Sequence, residues 1–443
     1  MKVYLGKGFL KAVFRIWAAP LKLARTGQVS LRTHLAKSLA YLYLAQFANY
    51  IFPLLTVPYL ARVLGPEGFG KLLLAQAVAQ YLSWVVEYGY SFSATREAAR
   101  LRHDPAGLGR VLASVIHARF LLLPLVAFLT YSLANLAPPL RGDWLLMVGI
   151  FLVALGGGFS FVWLFQAIER VKTIALLETG ARFLHVLAVF LLVREPGQVA
   201  LPLYLQAFAL FLANGVGFYW ALKSVRWPSL SGGFLWLRRG FGLFLYQLIS
   251  GLYAGLPTFL GGFFLSPTQL GHYAAGDRLV RVLVNLWAPL ARFFFPRLSF
   301  EAARGGEGRR RWLFYGGSLS LGMGLMASVS LFALAPFLAS SLFGEAYEEV
   351  GGILRILALF LFLTALSSFL GLQVLLPLRL DRGLFYGTLL GILWNALTAW
   401  YAASRFGPQG LAWTVVLGEV WVVGVMLWWS FRKGAWKGWA GLT

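Results

Sequence analysis

Apolar residues in this chain fall into long blocks, not into the short alternating runs of a soluble core. Stretches of twenty or more residues rich in Leu, Val, Phe, Ala and Gly recur between residues 38 and 431. A helix needs about 20 such residues to cross the hydrocarbon of a bilayer. Strands of a membrane barrel would alternate with period two over about 10 residues, and that pattern is missing. The blocks predict an all-α membrane protein with about twelve transmembrane helices. They span 38–62, 71–95, 111–134, 144–166, 173–193, 200–222, 241–265, 272–296, 313–339, 350–376, 383–403 and 409–431. Proline interrupts several of them, at Pro53, Pro58, Pro124, Pro257 and Pro289. Each removes a backbone hydrogen bond and bends its helix, either as a hinge or as an ordinary kink.

The polar punctuation carries an internal repeat. The turn Leu64-Gly65-Pro66-Glu67-Gly68-Phe69-Gly70 recurs as Leu265-Ser266-Pro267-Thr268-Gln269-Leu270-Gly271, shifted by 201 residues. The helices that follow end in Arg96-Glu97-Ala98-Ala99-Arg100 and Phe300-Glu301-Ala302-Ala303-Arg304, shifted by 204. Six helices per copy bring both copies into the membrane from the same side. The copies are then related by a pseudo-twofold along the membrane normal, with a substrate site between them. The chain divides into a basic N-terminal segment (1–37), a first lobe (38–222), a cytoplasmic linker (223–240), a second lobe (241–431) and a short tail (432–443).

Charge orients this scaffold. Hydrophobic residues make up 59% of the 443 and charged residues 12%, with a mean hydropathy of +0.72. Soluble domains carry about 25% charged residues, so a water-facing surface is excluded. The net charge of +23 would point to nucleic acid in a soluble protein. Placed on the spans, however, 28 of the 39 Lys and Arg residues fall on one side and 5 on the other: Arg62, Lys71, Arg141, Arg194 and Arg405. Basic residues near helix ends resist translocation, so both termini are expected inside. Most of the charge is then topology and attraction to anionic lipid, and no nucleic-acid partner is expected. Residues 7–17 set Lys7, Lys11 and Arg15 against Phe9, Val13, Phe14 and Trp17. They form either a helix on the membrane surface or a basic tail that only sets orientation. No cleavable signal peptide is predicted. The chain has no cysteine, which removes disulfides and thiolate chemistry.

Six arginines remain inside the spans: Arg119, Arg182, Arg278, Arg281, Arg292 and Arg355. Each costs roughly 2.5–3.5 kcal/mol at a lipid-facing helix centre. They are expected to face a wet cavity, pair with acids or snorkel, the last for Arg292 and Arg355 near helix ends. Glu178 and Arg182 are four apart with the acid first, the favourable order on a helix, and His185 shares their face. Asp277 and Arg281 are also four apart, and Arg278 adjoins the acid. These sets are either internal ion bridges or a cationic lumen, in which forked guanidinium donors match phosphate. Repeat-equivalent positions hold Gln76 and Gln80 in the first half. Glu87 and Glu419 are intramembrane carboxylates, candidates for a coupling proton or sodium ion. His117 lies near Arg119. Arg62 completes the candidate substrate contacts. No Walker loop, metalloprotease motif, nucleophile elbow or metal-spaced carboxylate cluster appears, so neither catalysis nor a cofactor is expected. Gly251 and Gly255 read as close helix packing.

The run Asn49-Tyr50-Ile51-Phe52-Pro53-Leu54-Leu55-Thr56-Val57-Pro58-Tyr59-Leu60-Ala61-Arg62-Val63-Leu64-Gly65-Pro66-Glu67-Gly68-Phe69-Gly70, followed by Glu87-Tyr88-Gly89-Tyr90-Ser91-Phe92-Ser93-Ala94-Thr95-Arg96-Glu97, resembles the first hairpin of Wzx-type polysaccharide flippases. These belong to the multidrug/oligosaccharidyl-lipid/polysaccharide exporter superfamily. The resemblance implies a MATE-like, V-shaped bundle of two six-helix lobes in the bacterial cytoplasmic membrane. It implies alternating access that moves undecaprenyl-pyrophosphate-linked oligosaccharide to the outer leaflet, with H⁺ or Na⁺ coupling and cavity arginines on the pyrophosphate. It also implies polymerase and glycosyltransferase partners of the same pathway. A drug–cation antiporter of the superfamily is the nearest alternative, and it would favour acids in the lumen. A membrane glycan polymerase or ligase would need Arg or His on a long external loop. A non-transporting assembly partner would not need buried charge.

Overall fold

The computed structural model describes residues 31–226, 232–285, 290, 294–295, 297–301 and 307–436. Helices fill the chain, and no strand occurs among the described residues. In order they are α1 (Leu31–Glu87), α2 (Tyr90–Arg100), α3 (Pro105–Leu136), α4 (Trp144–Gly158), α5 (Val162–Ala167), α6 (Val171–Leu192), α7 (Leu201–Leu222), α8 (Gly233–Phe264), α9 (Pro267–Val284), α10 (Glu307–Leu338), α11 (Glu349–Ser368) and α12 (Asp381–Arg432). Two of these are hairpins. α1 turns at Gly65 and α12 at Gly407, each in the positive-φ region that favours glycine. The repeat-equivalent turn before α9 is built differently. Ser266 caps the helix and Gln269 bonds back to it, a reciprocal box that satisfies two orphan N–H groups.

Among the described residues, eight helical runs are long and apolar enough to cross a membrane, and two of them, Leu54–Arg100 and Asp381–Arg432, contain more than one straight helix. Helix also occupies most described residues of every expected span. The expected linker is partly helix, since α8 begins at Gly233. The amphipathic reading of residues 7–17, along with Arg292 and Pro289, lies outside the described residues.

Three hydrophobic clusters define the shape. The largest joins both halves at one end, from Leu60, Phe69 and Leu203 to Tyr273, Tyr347 and Leu411. At the other end the core splits. Tyr90, Leu112, Trp163 and Phe165 form one cluster in the first half. Leu298, Phe369, Leu375 and Met426 form another in the second. Two lobes fused at one end and split into separate cores at the other make a V, bridged at the split end by the start of α8, whose Phe244 stacks on Tyr88 of the first lobe. On the sequence expectation that both termini lie inside, the fused end would face outside.

The fused end is built on a reciprocal contact between the repeats. A Cβ on Gly70 would stand 2.0 Å from the carbonyl oxygen of Pro267, and a Cβ on Gly271 would stand 2.0 Å from that of Pro66. Gly70 and Gly271 are repeat-equivalent, as are Pro66 and Pro267. Residue i meets j while j meets i, as a twofold relation requires. α8 starts against the first lobe, with Gly233 over Ala118, then runs alongside α12, where Gly261 meets Leu411. Gly251 sits on Trp84 and Gly255 on the Tyr81 hydroxyl, the close packing their spacing predicts.

Candidate functional site

Arg119 lies on α3 in the first lobe and is completely buried. The chain breaks between α4 and α5, which frees the Ser160 carbonyl from helical bonding. Arg119 Nη2 donates to that oxygen at 3.1 Å. Its guanidinium also lies 5.8 Å from the Tyr90 ring centroid and 5.7 Å from that of Phe159. Cation–π contacts of this kind strengthen as water is excluded. Arg119 is therefore packed inside one lobe. Its Nε and Nη1 have no protein acceptor. Glu87 is close enough to act on it electrostatically. That carboxylate is itself committed, accepting from Gly89 N at 3.0 Å and from Ser91 N, which caps the start of α2.

On α6 the exposed apolar residues Leu176, Phe183, Leu187 and Phe190 form one stripe. At about 100° per residue, Arg182 lies roughly 120° round from this stripe, with Glu178 and His185 nearly opposite it. Arg182 is exposed all the same, and Glu178 and His185 are half-buried. The exposed Arg182 thus lies off this apolar face, whose Phe183 and Phe190 rings pack against Phe52 and Tyr59 of α1. Of the two readings for this set, the Glu178–Arg182 ion bridge is not formed within 4.0 Å, although each feels the other electrostatically. An (i, i+4) spacing permits such a bridge but does not require it, because solvent competes for an accessible guanidinium.

The second charged set straddles the lobe interface. Asp277, on α9, is almost fully buried, and Arg281 Nε donates to it at 2.6 Å. Thr258 Oγ1 of α8 lies 3.4 Å from the same carboxylate oxygen. Arg278 is exposed and reaches across the lobes, its Nη2 donating to Gln76 Oε1 at 3.2 Å. Gln76 is the repeat-equivalent of Asp277, so the two copies meet here through unlike side chains. Arg278 also borders a small apolar recess with Leu54, Pro58 and Phe343.

Other candidates lie elsewhere. Arg62 spans the lobes at the fused end, where Nε donates to Leu342 O at 2.8 Å and Nη2 to Ser341 O. It joins backbone across the fused end. Arg355 is exposed beside Leu359 and sits over Phe332 at 5.6 Å, as a snorkelling arginine does. Glu419 is buried within the second lobe and accepts from Ser367 Oγ. The sequence reading missed Tyr347, whose hydroxyl donates to Ala61 O across the lobes at 2.9 Å. Its ring packs against Phe69 and Phe343. An aromatic embedded among Glu345, Glu348 and Glu349 was its available signal. No cluster of His, Asp and Glu with metal-binding geometry occurs among the described residues.

Comparison with known proteins agrees with this architecture. A putative O-antigen transporter of Shigella dysenteriae is 26% identical over 398 residues, covering 88% of this chain and 98% of its own length. A putative O-antigen transporter of Escherichia coli (strain K12) is 27% identical over 417 residues, covering 91% and 97%. Among solved structures, an inward-facing multidrug resistance MATE family transporter of the MOP superfamily superimposes with a TM-score of 0.64. It is 16% identical and covers 89% of this chain and 96% of its own. The lipid II flippase MurJ in an inward closed conformation superimposes with a TM-score of 0.66 at 14% identity, covering 90% and 87%. The fold is thus the one these transporters share. The family described as polysaccharide biosynthesis protein matches residues 35–300, and a second family of the same description matches 315–438. With its first match covering more than half of the sequence, this multi-pass membrane chain belongs to the polysaccharide biosynthesis protein family.

Proposed function

We propose that this protein is a Wzx-type flippase that carries undecaprenyl-pyrophosphate-linked oligosaccharide from the cytoplasmic to the outer leaflet of the bacterial inner membrane. It is a transporter, not an enzyme, as its relatives and structural neighbours are. The observation that carries the reading is the placement of Arg182, exposed yet turned away from the apolar stripe of its helix. An arginine in that position offers a permanent charge and a planar fork to a phosphate. Arg278 and Arg281 supply further cations at the interface of the lobes, and Asp277 holds the second of them in place. Arg119 and Arg62 are left out of the substrate path, since the first is sealed in one lobe and the second bonds backbone at the closed end.

Transport then follows from the V. The open side admits the headgroup of the lipid, the polyprenyl tail stays in the membrane, and reversal of the V releases the glycan outside. Glu178, Glu419 and Asp277 are the carboxylates available to a coupling H⁺ or Na⁺, with His185 beside the first. The test is complementation of a flippase-null strain, followed by analysis of lipid-linked intermediates. The chain is expected to restore surface glycan, and Arg182→Ala with Arg281→Ala to abolish it at matched expression. Normal glycan in that double variant would sink the cationic lumen. Drug export without glycan would favour the antiporter.

A further inference from the structure

We infer that His272 and Glu349 form a proton-binding site that latches the fused end of the bundle. The inference rests on the reading that this end opens during transport. His272 is the first residue after the Gly271 crossing, and its side chain is buried. Both of its ring nitrogens face acceptors. Nδ1 lies 2.8 Å from Glu349 Oε2, and Nε2 lies 3.1 Å from the carbonyl oxygen of Ala346. A neutral imidazole has one N–H and can donate in one direction only. The Ala346 carbonyl carries no proton, so two hydrogen bonds need a second proton, on the ring or on the Glu349 carboxyl. In either case the pair holds one proton more than a neutral imidazole beside an ionised carboxylate.

This proton bears directly on the contact between lobes. The His272 ring packs edge-on against Tyr347 with centroids 5.5 Å apart, and the Tyr347 hydroxyl bonds Ala61 O of the opposite lobe. Ala346, which His272 holds, immediately precedes Tyr347. Glu349 is 65% exposed, so the proton exchanges with the medium on that side. The titratable or charged groups on the surrounding elements are Glu345, Tyr347, Glu348 and Glu349 on the 345–349 segment. α9 itself adds Tyr273, Asp277, Arg278 and Arg281, α11 adds Arg355, α12 adds Arg405 beside its turn, and α1 from Tyr59 onward adds Tyr59, Arg62, Glu67, Lys71, Tyr81 and Glu87. Glu67 is engaged by Lys71 at 2.7 Å and Arg62 by backbone carbonyls.

The sign follows from the proton count. The closed latch binds one proton more than the open one, so closure is favoured as external pH falls. One linked proton shifts the closed-to-open ratio by at most about tenfold per pH unit. The chain has no cysteine, so Arg194→Cys and Ser340→Cys can carry a spin-label pair on opposite lobes of the full-length protein in nanodiscs. Between about pH 5.5 and 8, where histidine charge changes, the closed distance is expected to gain population on acidification. His272→Gln should flatten this profile. Glu349→Gln should flatten it in the closed position, because its amide donates to Nδ1 while Nε2–H still bonds Ala346. The exposed Glu349 side chain makes that variant a fair test even if the histidine variant folds poorly. A flat wild-type profile, or an unchanged one in Glu349→Gln, overturns the latch. A flat profile in a chain that restores surface glycan overturns the latch alone and leaves the transport reading standing.

Discussion

Substituting Gly70 with alanine tests the reciprocal crossing of the repeats. The added methyl would lie 2.0 Å from Pro267 O and 2.7 Å from Gly271 N, both backbone atoms that cannot rotate away. Comfortable C···O contacts begin at about 3.3 Å, so α1 and α9 must separate locally by roughly 1.3 Å. Inserting a methyl into a packed contact costs about 1–3 kcal/mol. Here the cost falls on the closed arrangement, since the two glycines belong to different lobes. A shift of that size changes a two-state population by roughly 5- to 150-fold. It also strains the neighbouring Tyr347–Ala61 and Arg62–Leu342 bonds. Inter-spin distances across the fused end should therefore lengthen in Gly70→Ala, and equally in Gly271→Ala. Because one separation relieves both clashes, the double variant should cost less than the sum. Unchanged distances together with an unchanged melting temperature in Gly70→Ala would refute the crossing.

Arg119→Met should keep thermal stability within about 1–2 kcal/mol of wild type and keep glycan export, because a buried ion replaced by an apolar chain of similar size is often tolerated. Arg119→Ala should cost about 2–5 kcal/mol through the cavity it leaves; denaturation in detergent reads both. Asp277→Ala should cost about 3–5 kcal/mol by leaving Arg281 without its buried acid, and adding Arg281→Met should recover much of that loss in the same melt. Losses that are additive instead would show that the pair acts independently.

Much of the fold was legible because lipid leaves the chain few options. Long apolar blocks have to be helices, and the helices lie where those blocks are. The repeat was visible in Pro66, Gly70, Pro267 and Gly271, although only three dimensions reveal that the copies interlock through these residues. The charges were harder. An intramembrane arginine announces a partner or water without saying which, so Arg119 and Arg182 look alike in sequence. What separates them is the break after Gly156-Gly157-Gly158, which frees the Ser160 carbonyl for Arg119, and the rotation of α6, which keeps Arg182 accessible. The (i, i+4) spacing pairs Asp277 with Arg281 in a bridge sheltered between helices, while at Glu178 and Arg182 the same spacing leaves the guanidinium accessible and unbridged to the acid. Tyr347 escaped because its hydrogen-bond partner is a backbone carbonyl 286 residues away, which no pattern of side chains records.

On the proposed function, accessible arginines between the two lobes carry a lipid-linked phosphate across the membrane. The most direct measurement is movement of undecaprenyl-pyrophosphate-linked oligosaccharide between leaflets of proteoliposomes holding the purified protein, read by accessibility of the glycan to an added glycosidase. Wild-type protein should expose glycan loaded on the inaccessible leaflet, as should Arg119→Met, whereas Arg182→Ala with Arg281→Ala should not. Equal exposure by the Arg182/Arg281 double variant and wild type, or none by wild type, would contradict the proposed function.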